Sequence, residues 1–274
     1  MDAELFWRQS WLLARFELLR LFATRRGWLM MSAFVVIWFF ILRFPMLKAA
    51  VKLQEPETLV MLTQLFGLAG MHQVLTWPLP EYVVYWLLSL ILFPLLVLFC
   101  AADQTSSDSS RGTLRFIALR ASRSAIFFGR FVGQVAAQSL LIASSLIATL
   151  LMGWWRQGHI SWAVLESAAI IATNLFVVVL PFIALMAVAS ALAKSARLAV
   201  SLVIVGAGVL IGLMQWLGHY WPNVIVILDY LPGAQLPQLL ATAGWGTLQF
   251  AWLPLLQTLV LLAVGWAVMR SKAL

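Results

Sequence analysis

The sequence predicts an all-α polytopic membrane protein with six transmembrane helices and both termini in the cytoplasm. Three observations carry that prediction. The 274 residues are 63% hydrophobic and 10% charged, whereas soluble domains average about 45–50% apolar and about 25% charged. Six apolar runs reach the roughly 20 residues that a helix needs to cross a bilayer core. Lys and Arg also concentrate in alternate connecting segments, as they do when positive segments stay on the cytoplasmic side.

Residues 1–26 carry Arg8, Arg15, Arg20, Arg25 and Arg26 ahead of the first apolar run. That run is too long for the core of a cleaved signal peptide and reads as a permanent span. On a helix Glu4, Arg8 and Arg15 share one side, while Trp7, Trp11, Leu13, Phe16, Leu18 and Phe22 supply apolar surface elsewhere. This predicts an amphipathic interfacial helix along the inner leaflet, with Leu12 and Leu19 diluting its charged side.

Residues 27–274 form a single transmembrane domain with spans over 27–47, 82–102, 131–154, 167–191, 198–217 and 250–269. With the N-terminus inside, 14 of the 18 Lys and Arg lie inside, and only Arg43, Lys48, Lys52 and Arg156 lie outside. Arg43, near the outer end of the first span, can snorkel to the headgroups. Two outer segments are long, 47–81 and 218–249. Pro222, Pro232, Gly233, Pro237, Gly244 and Gly246 punctuate the second and predict short broken helices at the outer interface. Many of the tryptophans sit near span ends, where they anchor in the headgroup belt.

The second to sixth spans contain no Asp, Glu, Lys, Arg or His between their predicted ends. Ion-driven carriers keep such groups despite a cost of about 2.5–3.5 kcal/mol each, so proton coupling is disfavoured. Catalysis is disfavoured too, because the spans offer no nucleophile with a base, no paired acids and no metal-ligand set. His72, His159 and His219 fall in different outer segments, and the single Cys100 excludes an intramolecular disulfide. No phosphate-cradling Gly-x-x-x-x-Gly-Lys-Ser/Thr sequence occurs, so any ATP must bind another chain. The net charge of +8 lies between apolar runs and points to topology rather than to nucleic acid.

Pro94, Pro181 and Pro254 fall near the middle of three spans and are candidate helix kinks. Gly206, Gly208 and Gly212 are candidates for close helix approach in the fifth span. Gln134, Gln138, Thr173 and Asn174 are the polar candidates for a substrate pathway, with interhelix hydrogen bonding as the plainer role.

The inner segment 103–130 is the most patterned. A polar lead-in containing Asp108 precedes Arg111, Gly112, Thr113 and Leu114, then a short amphipathic helix whose apolar edge is Leu114, Ile117 and Ala118. Ser122 and Arg123 follow, then Gly129 and Arg130. A basic topology-setting loop explains the arginines but not this order. The order resembles type-two ATP-binding-cassette (ABC-2) exporter permeases, whose loop runs acid-x-x-x-Gly-Thr-Leu, then Pro-x-Ser-Arg, then Gly-Lys. Arg120 stands in place of that family's proline, and Asp108 in place of its usual Glu.

The resemblance implies a membrane subunit that carries no catalytic residue, cofactor or metal. Two permease copies, or two paralogous permeases, pair around a pathway in the bacterial inner membrane. Separate cytoplasmic ABC ATPase subunits bind ATP and Mg and dock on the coupling helix formed by Asp108 to Arg123, with the N-terminal helix as a second contact. Two alternatives remain: a non-transporting membrane scaffold that recruits a cytoplasmic partner, and an ion-coupled carrier.

Overall fold

Caps and prolines set where the helices begin. Helix α1 (Ala3–Ala23) turns into α2 (Arg25–Ile41) at Thr24, whose hydroxyl accepts a hydrogen bond from the Gly27 amide at 3.1 Å. A Cβ on Gly27 would lie 2.1 Å from the Leu21 carbonyl oxygen, so the corner excludes any larger residue. A π-helical stretch, Leu42–Met46, continues α2. Helix α3 (Pro80–Cys100) starts on a proline, whose missing N–H costs nothing in a first turn. A 3-10 turn (Ala101–Asp103) and two short helices, α4 (Ser106–Ser110) and α5 (Thr113–Ala118), lead to α6 (Arg123–Gln157). Helix α6 ends at Gly158, whose φ of 75° suits a residue without Cβ. Helices α7 (Trp162–Leu192) and α8 (Ala196–Tyr220) follow, the second capped by Ser195 on the Leu198 amide at 3.2 Å. Two 3-10 segments, Pro222–Tyr230 and Gly244–Phe250, flank α9 (Leu236–Ala241) and lead into α10 (Trp252–Ser271).

This computed structural model describes residues 3–48, 53, 55, 57–58, 60–61, 63–64, 77–242 and 244–271. Lys52, Met71, His72 and Lys272 lie outside the described residues. Among the described residues six helices are long and apolar enough to cross a membrane, and there is no strand. The chain is therefore an all-α, multi-pass membrane protein.

Helix α7 is the axis, buried over most of its length between α3, α6 and α10. Tyr82, Tyr85, Trp86, Phe93 and Val97 of α3 interlock with Ile171, Leu175, Val178 and Ile183 of α7 and Leu141, Ile142 and Leu146 of α6. The Tyr85 hydroxyl lies 3.0 Å from Ser145 Oγ, and the Tyr82 hydroxyl donates to the Val164 carbonyl at 3.1 Å. Such interhelical bonds average about 0.6 kcal/mol in a membrane protein. Helices α2 and α8 are the least buried of the six.

Several expectations change. The third and fourth predicted spans start inside longer helices, because hydropathy falls wherever a charge enters, even when the helix continues. Helix α6 begins at Arg123, not near 131, and α7 at Trp162, not near 167. Charges that the sequence places in loops therefore sit on helices. Glu81, in the first turn of α3, is fully buried and pairs with Arg156, in the last turn of α6, through Nε–Oε1 at 2.6 Å and Nη2–Oε2 at 3.1 Å. Each charge opposes the partial charge of its own helix end, so the pair fastens that end of the bundle.

Pro94 and Pro181 are interior to α3 and α7, but Pro254 is the third residue of α10. In a first turn a proline breaks no intrahelical bond, so Pro254 starts a helix and does not kink one. Gly206, Gly208 and Gly212 would meet no atom within 4 Å if given a Cβ. Among the described residues they form no packing seam.

Candidate functional site

The residues of the patterned segment gather at the end of the bundle where α1, the α3–α6 connection and the end of α10 meet. The connection is rooted in α7. The Thr105 amide donates to Ser190 Oγ at 2.8 Å, the Thr105 hydroxyl lies 2.9 Å from the same atom, and Gln104 Nε2 donates to the Ile183 carbonyl at 3.4 Å. Beyond this root, Gly112 is left-handed with φ of 71°, which breaks the expected single coupling helix into α4 and α5. Glycine accepts that conformation, and any residue with a Cβ is strained there by about 1–2 kcal/mol. Thr113 Oγ1 donates across the break to Asp108 Oδ1 at 2.9 Å. Asp108, Gly112 and Thr113 thus form one closed turn.

Helix α5 has two sides. Leu114 is buried among Ile126, Phe127, Ala187, Ala191 and Met269, with Ile117 and Ala118 partly buried beside it. Phe116 and Leu119 are 72% and 83% exposed, and Arg111, Arg115 and Arg120 are exposed around them. Ser122 is the N-cap of α6, its hydroxyl accepting from the Ala125 amide at 3.1 Å. Arg123 Nη1 donates to the Arg270 carbonyl at 2.9 Å at the end of α10, and Trp266 Nε1 to Ser124 Oγ at 2.9 Å. Gln9 of α1 clasps the turn before α6, its Nε2 donating to the Arg120 carbonyl at 3.1 Å and its Oε1 accepting from the Ser122 amide at 3.3 Å.

Beneath this surface runs a chain of charges. Arg130 of α6, 2% exposed, pairs with Asp108 through Nη2, while its Nη1 lies 3.7 Å from Glu17 Oε1. Arg20 lies 3.4 Å from Glu17 Oε1 and 3.4 Å from Asp103 Oδ2, and donates to the Asp103 carbonyl at 3.2 Å. The network joins α1, the connection and α6.

Close helix contact makes it possible. A Cβ on Gly129 would lie 2.7 Å from the Ser10 carbonyl oxygen, and one on Gly133 would lie 2.6 Å from Glu17 Cβ and 2.9 Å from the Ala14 carbonyl oxygen. Sequence reasoning misses Glu17. The available signal was the row Ser10, Ala14 and Glu17, two small residues and an acid on one helical face, opposite the Gly129/Gly133 spacing on α6.

Burial raises the Glu17 carboxyl above its ordinary value, with Arg20 and Arg130 pulling it back down. A folded-state value above the unfolded one stabilises the fold below the ordinary carboxylate range, and that stability is lost as pH rises through the raised value. The purified protein is therefore expected to lose thermal stability as pH rises from about 4.5 toward the raised value. Glu17→Gln should flatten that slope. Melting curves of both proteins across this range test it, and an equal slope in the variant would place the proton on another group.

The pathway candidates are placed otherwise. Gln134, Gln138 and Asn174 are buried in the bundle, and Asn174 Nδ2 donates to Thr247 Oγ1 at 2.8 Å. Thr173 is half-buried and donates back to the Ala169 carbonyl at 2.8 Å. Asn174 thus bonds to the 3-10 segment that precedes α10. No group of three or more His, Cys, Asp or Glu that could hold a metal occurs among the described residues.

No protein-family model matches the chain, and no curated protein does.

Proposed function

We propose that this chain is the membrane-spanning permease subunit of an ATP-driven exporter of the ABC-2 kind. In this reading two permeases pair, and α5 carries the docking site for a cytoplasmic ATPase that supplies ATP and Mg. One observation carries it: the closed Asp108–Gly112–Thr113 turn anchors Leu114 inward and thereby holds Phe116 and Leu119 outward, ringed by arginines. Two large apolar side chains held in water on a braced six-residue helix favour a protein partner. The arginines complement an acidic rim around such a pocket.

Co-purification tests the reading. The tagged chain, expressed with its neighbouring genes, should bring down an ATPase with a Walker motif. Its membranes should label at Leu119→Cys and Trp155→Cys from opposite sides. The Phe116→Ser, Leu119→Ser double variant should lose at least tenfold of the recovered ATPase while inserting normally. Retention of the ATPase by the double variant would move the docking site elsewhere. Recovery of a cytoplasmic partner without ATPase activity would favour the scaffold reading.

A further inference from the structure

Resting on that reading, we propose that Arg130 is a two-position positioning residue that passes movement of the docking loop to α1 and α6 by exchanging Asp108 for Glu17. Its two arms are unequal in this structure. Nη2 is engaged by Asp108, whereas Nη1 stands 3.7 Å from Glu17 Oε1, beyond hydrogen-bond reach. Arg130 Nε and Nη1 and Glu17 Oε2 are all buried, and none makes a hydrogen bond among the described residues. A buried guanidinium and a buried carboxylate side by side, each with unspent hydrogen-bonding capacity, have an unused bidentate arrangement available.

Exposure gives the exchange a direction. The Asp108 side chain is 25% exposed, so water and its bond to Thr113 can take over when Arg130 leaves. The Glu17 side chain is 1% exposed and has no such substitute. Arg20 shares Glu17 Oε1 and is itself tied to Asp103, so it leaves Oε2 for Arg130. Asp108 belongs to the turn that sets α5, and Glu17 lies on the α1 face packed against Gly133. A pull on the loop that frees Asp108 would therefore lock α1 onto α6. That is a two-state element biased from the docking surface.

Spin labels at Ser110→Cys, exposed on α4 and outside the Phe116 and Leu119 docking pair, and at Trp155→Cys, in a Cys100→Ser background in nanodiscs, measure the loop against the far end of α6. Asp108→Asn in the permease alone should shift this distance to the value that the ATPase-bound wild type reaches with trapped nucleotide. Glu17→Gln should keep the ATPase bound but abolish the nucleotide-dependent shift. Loss of rigidity alone would broaden the distances in both variants without a shared end point. An unshifted Asp108→Asn, or a Glu17→Gln that responds as wild type does, overturns the proposal. If the wild type recruits no ATPase, the exporter reading falls and takes the relay with it. The Asp108→Asn distance in the isolated permease then still decides whether Arg130 has a second position.

Discussion

Arg130→Ala is expected to destabilise the protein by roughly 3–5 kcal/mol, the cost of removing one member of a buried charge pair. The effect should exceed that of any exposed arginine on or beside α5. Removing Arg130 leaves Glu17 buried near Asp108 with Arg20 as its one remaining ion-pair partner among the described residues, and the structure offers water to Asp108 but not to Glu17. Arg120→Ala removes an exposed charge and should cost little. Denaturation of the two variants in the same detergent gives the comparison. A cost for Arg130→Ala no greater than that for Arg120→Ala would mean that the network contributes nothing to stability.

Gly133→Val is the second large effect, and it acts by volume. The position faces the Ala14 carbonyl oxygen at 2.9 Å from where a Cβ would stand, and a backbone atom cannot rotate out of the way as a side chain can. Overpacking of this kind costs about 1–3 kcal/mol, occasionally more, and here relief comes most easily by lifting α1 off α6. Ser10, 8% exposed at that interface, reports the displacement. Ser10→Cys should resist maleimide in an otherwise native Cys100→Ser chain and react at least tenfold faster once Gly133→Val is added. Equal reactivity would show that α1 stays seated.

The sequence carries the membrane class and the number of long apolar helices well, because a span must be apolar whatever its neighbours. It carries helix ends less well. Arg130 and Arg156 lower the local hydropathy although α6 runs through both, and Glu81 hides the start of α3 in the same way. The patterned loop is legible as residues, yet their roles depend on distance in space. Asp108 and Arg130 can be picked out from their order, but their pairing needs the fold of the 21 residues between them. Glu17 escapes because helical periodicity shows that a residue shares a face with Ser10 and Ala14, not what that face meets. Likewise, small residues mark close packing at Gly129 and Gly133 but not at Gly206, Gly208 or Gly212, since a glycine's spacing is the same on either side of a helix.

The clasp of Gln9 on the turn before α6 joins groups 111 positions apart. A chain is made and inserted from its N-terminus, so α1 is complete long before Gly129, Gly133 and Arg130 exist to receive it. During synthesis α1 must therefore wait, with Glu17 unpaired by Arg130, through the insertion of α2 and α3. The network of Glu17, Arg130 and Asp108 then closes late, when α6 emerges. Closure of that network thus reports that α2, α3 and α6 have been delivered in order.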